Sequence, residues 1–302
     1  MTKVTLKPLP VPLAMSAATH STNGESLPCP SQSSQSSTTT SADQGAAPTP
    51  SRRPDTPVSI EADAQSRSNQ NERAPQAQSP RPVPKLRIHC EDLRHSGARA
   101  FFQNVDPSLC LEEAVNSVIS VLYGGSSAAQ LIPPTRSITL ILKPANGVAE
   151  TGGIDLDADH KEILFSLNYI EHAAKSRQAD QVRHEIRGVL VHEMVHAWQW
   201  NGHGKAPGGL IEGIADFVRL KTGLGAHHWE RKIPDHWDAG YDATAFFLDW
   251  LETTKGKGTV GRINVALKDE YRPSVFWKAL FDQDIEDLFE RYKKALADEA
   301  HE

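Results

Sequence analysis

Two histidines four residues apart, His192 and His196, flank Glu193 in an HExxH motif. Residues 180–200 have the apolar spacing of a helix, and residues at i and i+4 of a helix project from one face. Two imidazoles one turn apart are suited to bind a single Zn²⁺ ion, and a carboxylate beside them can take a proton from a water molecule on the metal. The motif therefore predicts a hydrolytic zinc centre with two histidine ligands and Glu193 as general base.

A second stretch, residues 208–218, is expected to supply the third ligand. Apolar residues recur through it at helical spacing, which places Glu212 and Asp216 on one face of a helix. Catalytic zinc takes three protein ligands and keeps one open position, so Glu212 would complete a His₂Glu set. Asp216 is placed to accept the second ring N–H of a ligating histidine, and its alternative is a helix-packing or N-terminal salt-bridge role. Gly213 is expected to let this helix approach the first one closely.

The elements that position these residues follow from hydrophobic periodicity and turn signals. Strands are predicted at Lys85–Cys90 and at residues 137–142 and 161–167, and a helix at 109–123. Residues 145–160 are rich in turn formers, and the helix that carries HExxH is expected to begin with Asp180 as N-cap. After a loop at 223–240, helices are predicted at 243–254, 260–268, 274–281 and 284–297. Strands followed by helices alone indicate an α+β fold.

Composition divides the chain into two parts. Residues 1–84 are dominated by Ser, Thr, Pro, Gln and Ala, which predicts a disordered tail, and residues 85–302 hold every aromatic residue and are expected to form one domain. The net charge of −6 argues against nucleic-acid binding, and no segment is apolar enough to span a membrane. The cysteines Cys29, Cys90 and Cys110 are expected to be thiols, a Cys90–Cys110 bridge being the alternative in an exported protein.

Two runs of sequence carry a resemblance to a known family. Residues 192–202 (HEMVHAWQWNG) and 206–216 (APGGLIEGIAD) are similar to the plant basic secretory protein family of zinc peptidases. The resemblance extends from about residue 86 to 292. The pairing of HExxH with ExxxD also resembles the thermolysin-like gluzincins, which implies a zincin-type fold with a small mixed sheet beside the active-site helix. The family's name implies secretion, but the N-terminal segment is interrupted by prolines and lacks the apolar run of a signal peptide, so an intracellular location is favoured.

Peptide hydrolysis also needs a donor that stabilises the oxyanion of the tetrahedral intermediate. Tyr241 is the first candidate because it lies in a Gly-Tyr-Asp segment after the second ligand helix, and His236 and His203 are alternatives. His203 is also an alternative third ligand. A histidine-type site places its third histidine shortly after HExxH, and His203 comes one residue later than that spacing requires.

We therefore predict a gluzincin-type zinc peptidase that acts on peptide or protein substrates as a monomer, with one catalytic Zn²⁺ and a metal-activated water. The alternative is a non-catalytic zincin-like domain that binds a protein or glycan partner, with zinc in a structural role. Glu193 favours the peptidase, because a scaffold has no need of a base beside the metal. Residues 161–167 are a candidate edge strand on which an extended peptide could add.

Overall fold

The computed structural model describes residues 83–124, 131–154 and 156–299. The tail predicted for residues 1–84 lies outside the described residues, apart from its last two positions. The described part is an α+β domain, as predicted, with a mixed sheet and a helical C-terminal half. In chain order the elements are β1 (Lys85–Cys90), α1 (Ser96–Asn104), α2 (Pro107–Tyr123), β2 (Ser137–Lys143), β3 (Ala149–Ile154), β4 (Asp157–Ser166), α3 (Leu167–Ser176), α4 (Ala179–Trp198), α5 (Gly208–Lys221), α6 (Tyr241–Lys255), α7 (Thr259–Ala266), α8 (Pro273–Phe281) and α9 (Ile285–Glu299).

The four-stranded sheet has the strand order β1-β2-β4-β3. Strands β1, β2 and β4 are parallel, and β3 pairs antiparallel with β4. Fully buried residues alternate along the two central strands: Ile138, Leu140, Leu142, Ile163 and Phe165. Because side chains of a strand alternate between its faces, these residues line a single face of the sheet, where they join the hydrophobic core.

One edge of the sheet is β3, which lies within the segment predicted to be turn-rich. Gly152 and Gly153 interrupt the strand pattern there, since glycine has low β propensity and usually marks a turn or bulge. Strand β4, predicted at residues 161–167 as a candidate edge, begins earlier and lies between β2 and β3. The predicted position of the edge is therefore wrong, and the antiparallel edge strand is β3.

The sequence predicts one helix before α4, at residues 109–123, and the structure also has α1 and α3 there. Each begins at a cap that the pattern did not reveal: the ring of His95 accepts the N–H of Gly97, and the hydroxyl of Ser166, at the end of β4, accepts that of Tyr169. The two helices touch at Gly97, where a Cβ atom would lie 2.1 Å from the carbonyl oxygen of Leu167. Both helices contact α4, and Phe101 of α1 and Tyr169 of α3 pack against Phe165 of β4.

Helix α4 is the central element of the domain and packs against α2, α5 and strand β3. Its N-cap is Gln178, which forms a capping box with Gln181, so the predicted N-cap Asp180 is wrong by two residues. Every residue from 188 to 195 is buried. The middle of α4 is therefore a core helix rather than a surface helix with one apolar stripe.

Helix α5 lies between α4 and α6. The predicted close approach at Gly213 exists, but its partner is α6: a Cβ atom there would lie 2.3 Å from Cγ2 of Thr244. Toward α4 the close approach occurs at Gly188, where a Cβ atom would lie 2.5 Å from Nε of Arg219. The predicted partner of Gly213 is therefore wrong. The loop at 223–240 and the last four helices are found close to their predicted positions.

The two cysteines of the described residues, Cys90 and Cys110, are thiols as expected. Burial raises the pKa of Cys110 to about 12, which keeps it protonated and unreactive at neutral pH. Within the described ranges we find no helix with both the length and the apolar character needed to cross a bilayer.

Candidate metal centre

Three side chains from α4 and α5 converge on one point, and they are the three predicted ligands. The Nε2 atoms of His192 and His196 lie 3.3 Å apart, and Glu212 brings one carboxylate oxygen to 3.1 Å from the first and the other to 3.8 Å from the second. Tetrahedral ligands at zinc bond lengths are separated by about 3.3 Å. The spacing of these atoms therefore suits a metal ion of that size and geometry.

The second ring nitrogen of His192 contacts Asp216, as the sequence analysis predicts. Nδ1 of His192 lies 2.6 Å from Oδ1 of Asp216, and both side chains are almost fully buried. An ionised carboxylate can only accept a hydrogen bond, so Nδ1 carries the proton. Nε2 then faces Glu212 and His196 and is the ring nitrogen left to bind a metal ion in place of a proton.

The second ring nitrogen of His196 contacts a residue that is not among the predicted site residues. Nδ1 of His196 lies 3.0 Å from Oε1 of Gln199, whose amide nitrogen donates to the main-chain carbonyl of Ile211 at 2.9 Å. Gln199 is the C-cap of α4 and lies three residues after His196. That spacing was the available signal, since residues at i and i+3 of a helix are neighbours.

The centre concentrates negative charge around His192. Burial alone would lower its pKa, but Asp216, Glu212 and Glu193 outweigh burial and raise the pKa to about 10. Burial would raise the pKa of Glu212, but hydrogen bonding to His192 and the charge of His196 bring it below the ordinary value. Three buried or half-buried carboxylates beside two imidazoles are stable only with a cation among them, which is a proton or a metal ion. Nitrogen and carboxylate ligands in this number are those that zinc takes at catalytic sites.

Glu193 is not one of the converging ligands, and its side chain contacts the edge strand. Its carboxylate accepts a hydrogen bond from the hydroxyl of Thr151 at 2.7 Å, and the same hydroxyl lies 2.9 Å from its main-chain oxygen. Glu193 is 2 % exposed. The sequence pattern predicts turns where Thr151 lies and therefore does not indicate this contact. Its position means that β3 passes directly beside the carboxylate predicted to be the base.

Of the three predicted oxyanion donors, Tyr241 contacts one of the converging ligands. Its ring is parallel to that of His192 within 15°, with centroids 6.3 Å apart. It is the first residue of α6 and has a φ of 47°, a conformation rarely adopted by bulky residues and often found at functional sites. His236 and His203 are both exposed, and Nε2 of His203 lies 3.1 Å from the carbonyl oxygen of Lys268. His203 is not part of the converging group.

A second polar layer joins α4 and α5 two turns below the histidines. The guanidinium of Arg219 lies 3.3 Å from the carboxylate of Glu185, and its Nε donates to the carbonyl of Leu224. The hydroxyl of Tyr169 donates to the same carboxylate at 2.7 Å. Burial would raise the pKa of Glu185, but Arg219, Tyr169 and Arg177 together lower it below its ordinary value. This ionised network fixes how the two ligand-bearing helices lie against each other.

Comparison with known proteins supports a family assignment. A family model described as peptidases of plants and bacteria (BSP) matches residues 83–292, which includes all four strands and both ligand-bearing helices. Comparisons with curated proteins and with solved structures found no match. The matched segment covers more than half of the chain. The chain therefore belongs to the basic secretory protein family of peptidases of plants and bacteria.

Proposed function

We propose that this protein is a zinc-dependent peptidase in which His192, His196 and Glu212 hold one Zn²⁺ ion and Glu193 is the general base. The observation that carries the proposal is the convergence of two Nε2 atoms and a carboxylate with zinc-like spacing, beside a buried carboxylate that is not among them. Membership of a peptidase family supports peptide or protein substrates.

A zinc ion at this centre would supply a Lewis acid that polarises the scissile carbonyl and acidifies water. Asp216 holds His192 in the required tautomer through Nδ1. Glu193 takes the proton from the attacking water and returns it to the leaving amine, while Thr151 holds the carboxylate in one orientation. We assign the stabilisation of the oxyanion to Tyr241, because its ring lies beside His192.

The edge strand β3 is the proposed binding site for the substrate main chain. It pairs only with β4 among the described strands, so its outer edge can accept another strand. Because Thr151 lies within β3 and contacts Glu193, a peptide added there would pass beside the base. This placement replaces the edge at residues 161–167 that the sequence predicted.

The alternative of a binding domain with structural zinc is not favoured by the geometry. A structural zinc site is closed by four protein ligands, whereas three converge here among the residues that the structure describes. Glu193 is almost fully buried and takes no part in the converging set, so in a purely structural site its burial would cost free energy without a benefit.

The test combines zinc content with cleavage of a mixed peptide library by the parent protein and by Glu193→Gln. We expect both to carry one zinc ion per chain, and the variant to lose about 10²- to 10⁴-fold in cleavage rate. Glu113→Gln, which alters an exposed acid on α2, is the matched control and should behave like the parent. Equal cleavage by parent and Glu193→Gln, or a zinc-loaded parent that cleaves no peptide, would contradict the proposal.

A further inference from the structure

Gln199 joins one histidine of the candidate metal centre to the helix that carries the third ligand. Its side-chain oxygen lies 3.0 Å from Nδ1 of His196, and its amide nitrogen donates to the carbonyl of Ile211 at 2.9 Å. Ile211 directly precedes Glu212 on α5. One side chain therefore contacts a histidine of α4 and the main chain beside the glutamate of α5.

The contact with Ile211 determines which way the amide of Gln199 faces. A main-chain carbonyl can only accept hydrogen bonds, so the amide nitrogen must lie against it. The reverse orientation would place two oxygen atoms 2.9 Å apart with no proton between them. Oε1 of Gln199 must then face His196, and because Oε1 can only accept, Nδ1 of His196 must donate.

We propose that Gln199 is a positioning residue, which holds His196 in the tautomer whose Nε2 lone pair faces the metal and fixes the distance between His196 and Glu212. The proposal rests on the metal site of the proposed function. It gives each histidine its own acceptor: the carboxylate of Asp216 for His192 and the neutral amide of Gln199 for His196. A glutamine serves at this position because it has a donor for α5 as well as an acceptor for His196, whereas a carboxylate has acceptors only.

The helix ending explains how Gln199 reaches both partners. Its backbone leaves the helical region, with φ −92° and ψ 143°, so α4 stops at Trp198. Trp198 itself is fully buried and anchors the end of the helix in the core. The buried end of α4 thus fixes the position of the Gln199 side chain between α4 and α5.

The test measures zinc affinity and the histidine tautomer in the full-length protein with three variants. Gln199→Met keeps the size of the side chain but removes the acceptor and the donor. Gln199→Glu keeps the acceptor alone. Gln181→Met, which removes the capping box at the other end of α4, is the matched control for a loss of helix stability. The ring ¹⁵N signals of His196 in the metal-free protein report the tautomer without any need for zinc or cleavage.

We expect Gln199→Met to weaken zinc binding about 10- to 100-fold and to release the proton of His196 from Nδ1. Gln199→Glu should restore the Nδ1–H tautomer but only part of the affinity, because it lacks the donor to Ile211. Gln181→Met should lower the thermal midpoint without changing either readout. Parent-like affinity and tautomer in Gln199→Met, or equal losses in Gln199→Met and Gln199→Glu, would overturn the proposal. A parent that binds no zinc would also overturn it, whereas a zinc-loaded parent that cleaves nothing would refute only the peptidase.

Discussion

The orientation of His192 and His196 depends on the hydrogen-bond acceptors that contact their Nδ1 atoms. Asp216 and Gln199 each hold an Nδ1 proton, so both Nε2 atoms face the same point. Two Nε2 atoms 3.3 Å apart repel each other unless a proton or a metal ion lies between them. A buried set of this kind would be costly as a mere packing feature, and this cost is the physical reason for assigning it to a metal.

Thr151 is the residue through which the edge strand acts on the general base. Thr151→Val keeps the shape of the side chain and removes the hydroxyl, so the Glu193 carboxylate loses a hydrogen bond. We expect the cleavage rate (kcat) to fall about tenfold with zinc content unchanged, from the usual strength of a hydrogen bond to a charged group. Thr151→Ser should restore the rate. A Thr151→Val protein with the rate of the parent would show that the contact does not position the base.

At the scale of elements, residue spacing in the sequence predicted the features that depend on a single helix. The i, i+4 spacing of His192 and His196 and of Glu212 and Asp216 was sufficient to place them on shared helix faces, and the structure brings all four together. Contacts between elements were not available from one sequence. Pairing with β4 makes residues 149–154 a strand despite the low β propensity of Gly152 and Gly153. The contact partner of Gly213 depends on how α4, α5 and α6 pack together.

The contact of α5 with α6 can be tested at Gly213. Gly213→Ala would bring a methyl group into Thr244, whose hydroxyl accepts the N–H of Gly240 just before Tyr241. We expect overpacking to lower the free energy of unfolding by about 1–3 kcal/mol. Gly208→Ala, on the same helix with nothing within 4 Å of the added methyl, is the control and should have little effect. Equal stabilities in urea unfolding would contradict the close approach.

The contact of α4 with α5 can be tested by the pH dependence of stability. The pKa of Glu185 is lowered in the folded state, so its ionised form contributes stability above pH 4.5, its ordinary value, and this contribution is lost as pH falls through the folded pKa. Glu185→Gln leaves Arg219 without its buried partner and should cost about 3–5 kcal/mol at pH 7. The difference from the parent should shrink as the pH falls below 4.5.

Urea unfolding of chelator-treated protein at several pH values measures this difference without interference from metal. Glu113→Gln, which alters an exposed ion pair with Arg187, is the control and should change the free energy of unfolding by about 0–1 kcal/mol. If the difference in the free energy of unfolding between parent and Glu185→Gln does not change with pH, the network does not lower the pKa of Glu185.

At the scale of the whole molecule, the family match and the core coincide. The matched residues 83–292 run from the first strand into the last helix, so the candidate metal centre lies within the segment that the peptidase family model covers. The ligands come from two helices joined by a loop, and their geometry depends on the packed domain. Metal binding and folding stability should therefore be coupled.

This coupling predicts that zinc stabilises the folded protein. At a free zinc concentration one hundred times the dissociation constant, binding should add about 2.7 kcal/mol to the free energy of unfolding. Chelation should remove the increment, and His196→Ala should show no zinc-dependent change at the same concentration. A thermal midpoint that does not depend on zinc in the parent would contradict a site formed by the native fold.

The most direct measurement is the location of zinc by anomalous X-ray diffraction from crystals of the zinc-loaded protein. The predicted result is a single peak about 2.0–2.1 Å from Nε2 of His192 and of His196, and about 2.0–2.2 Å from a carboxylate oxygen of Glu212. An absent peak at this position, or a zinc ion bound by His203 in place of Glu212, would contradict the proposed centre.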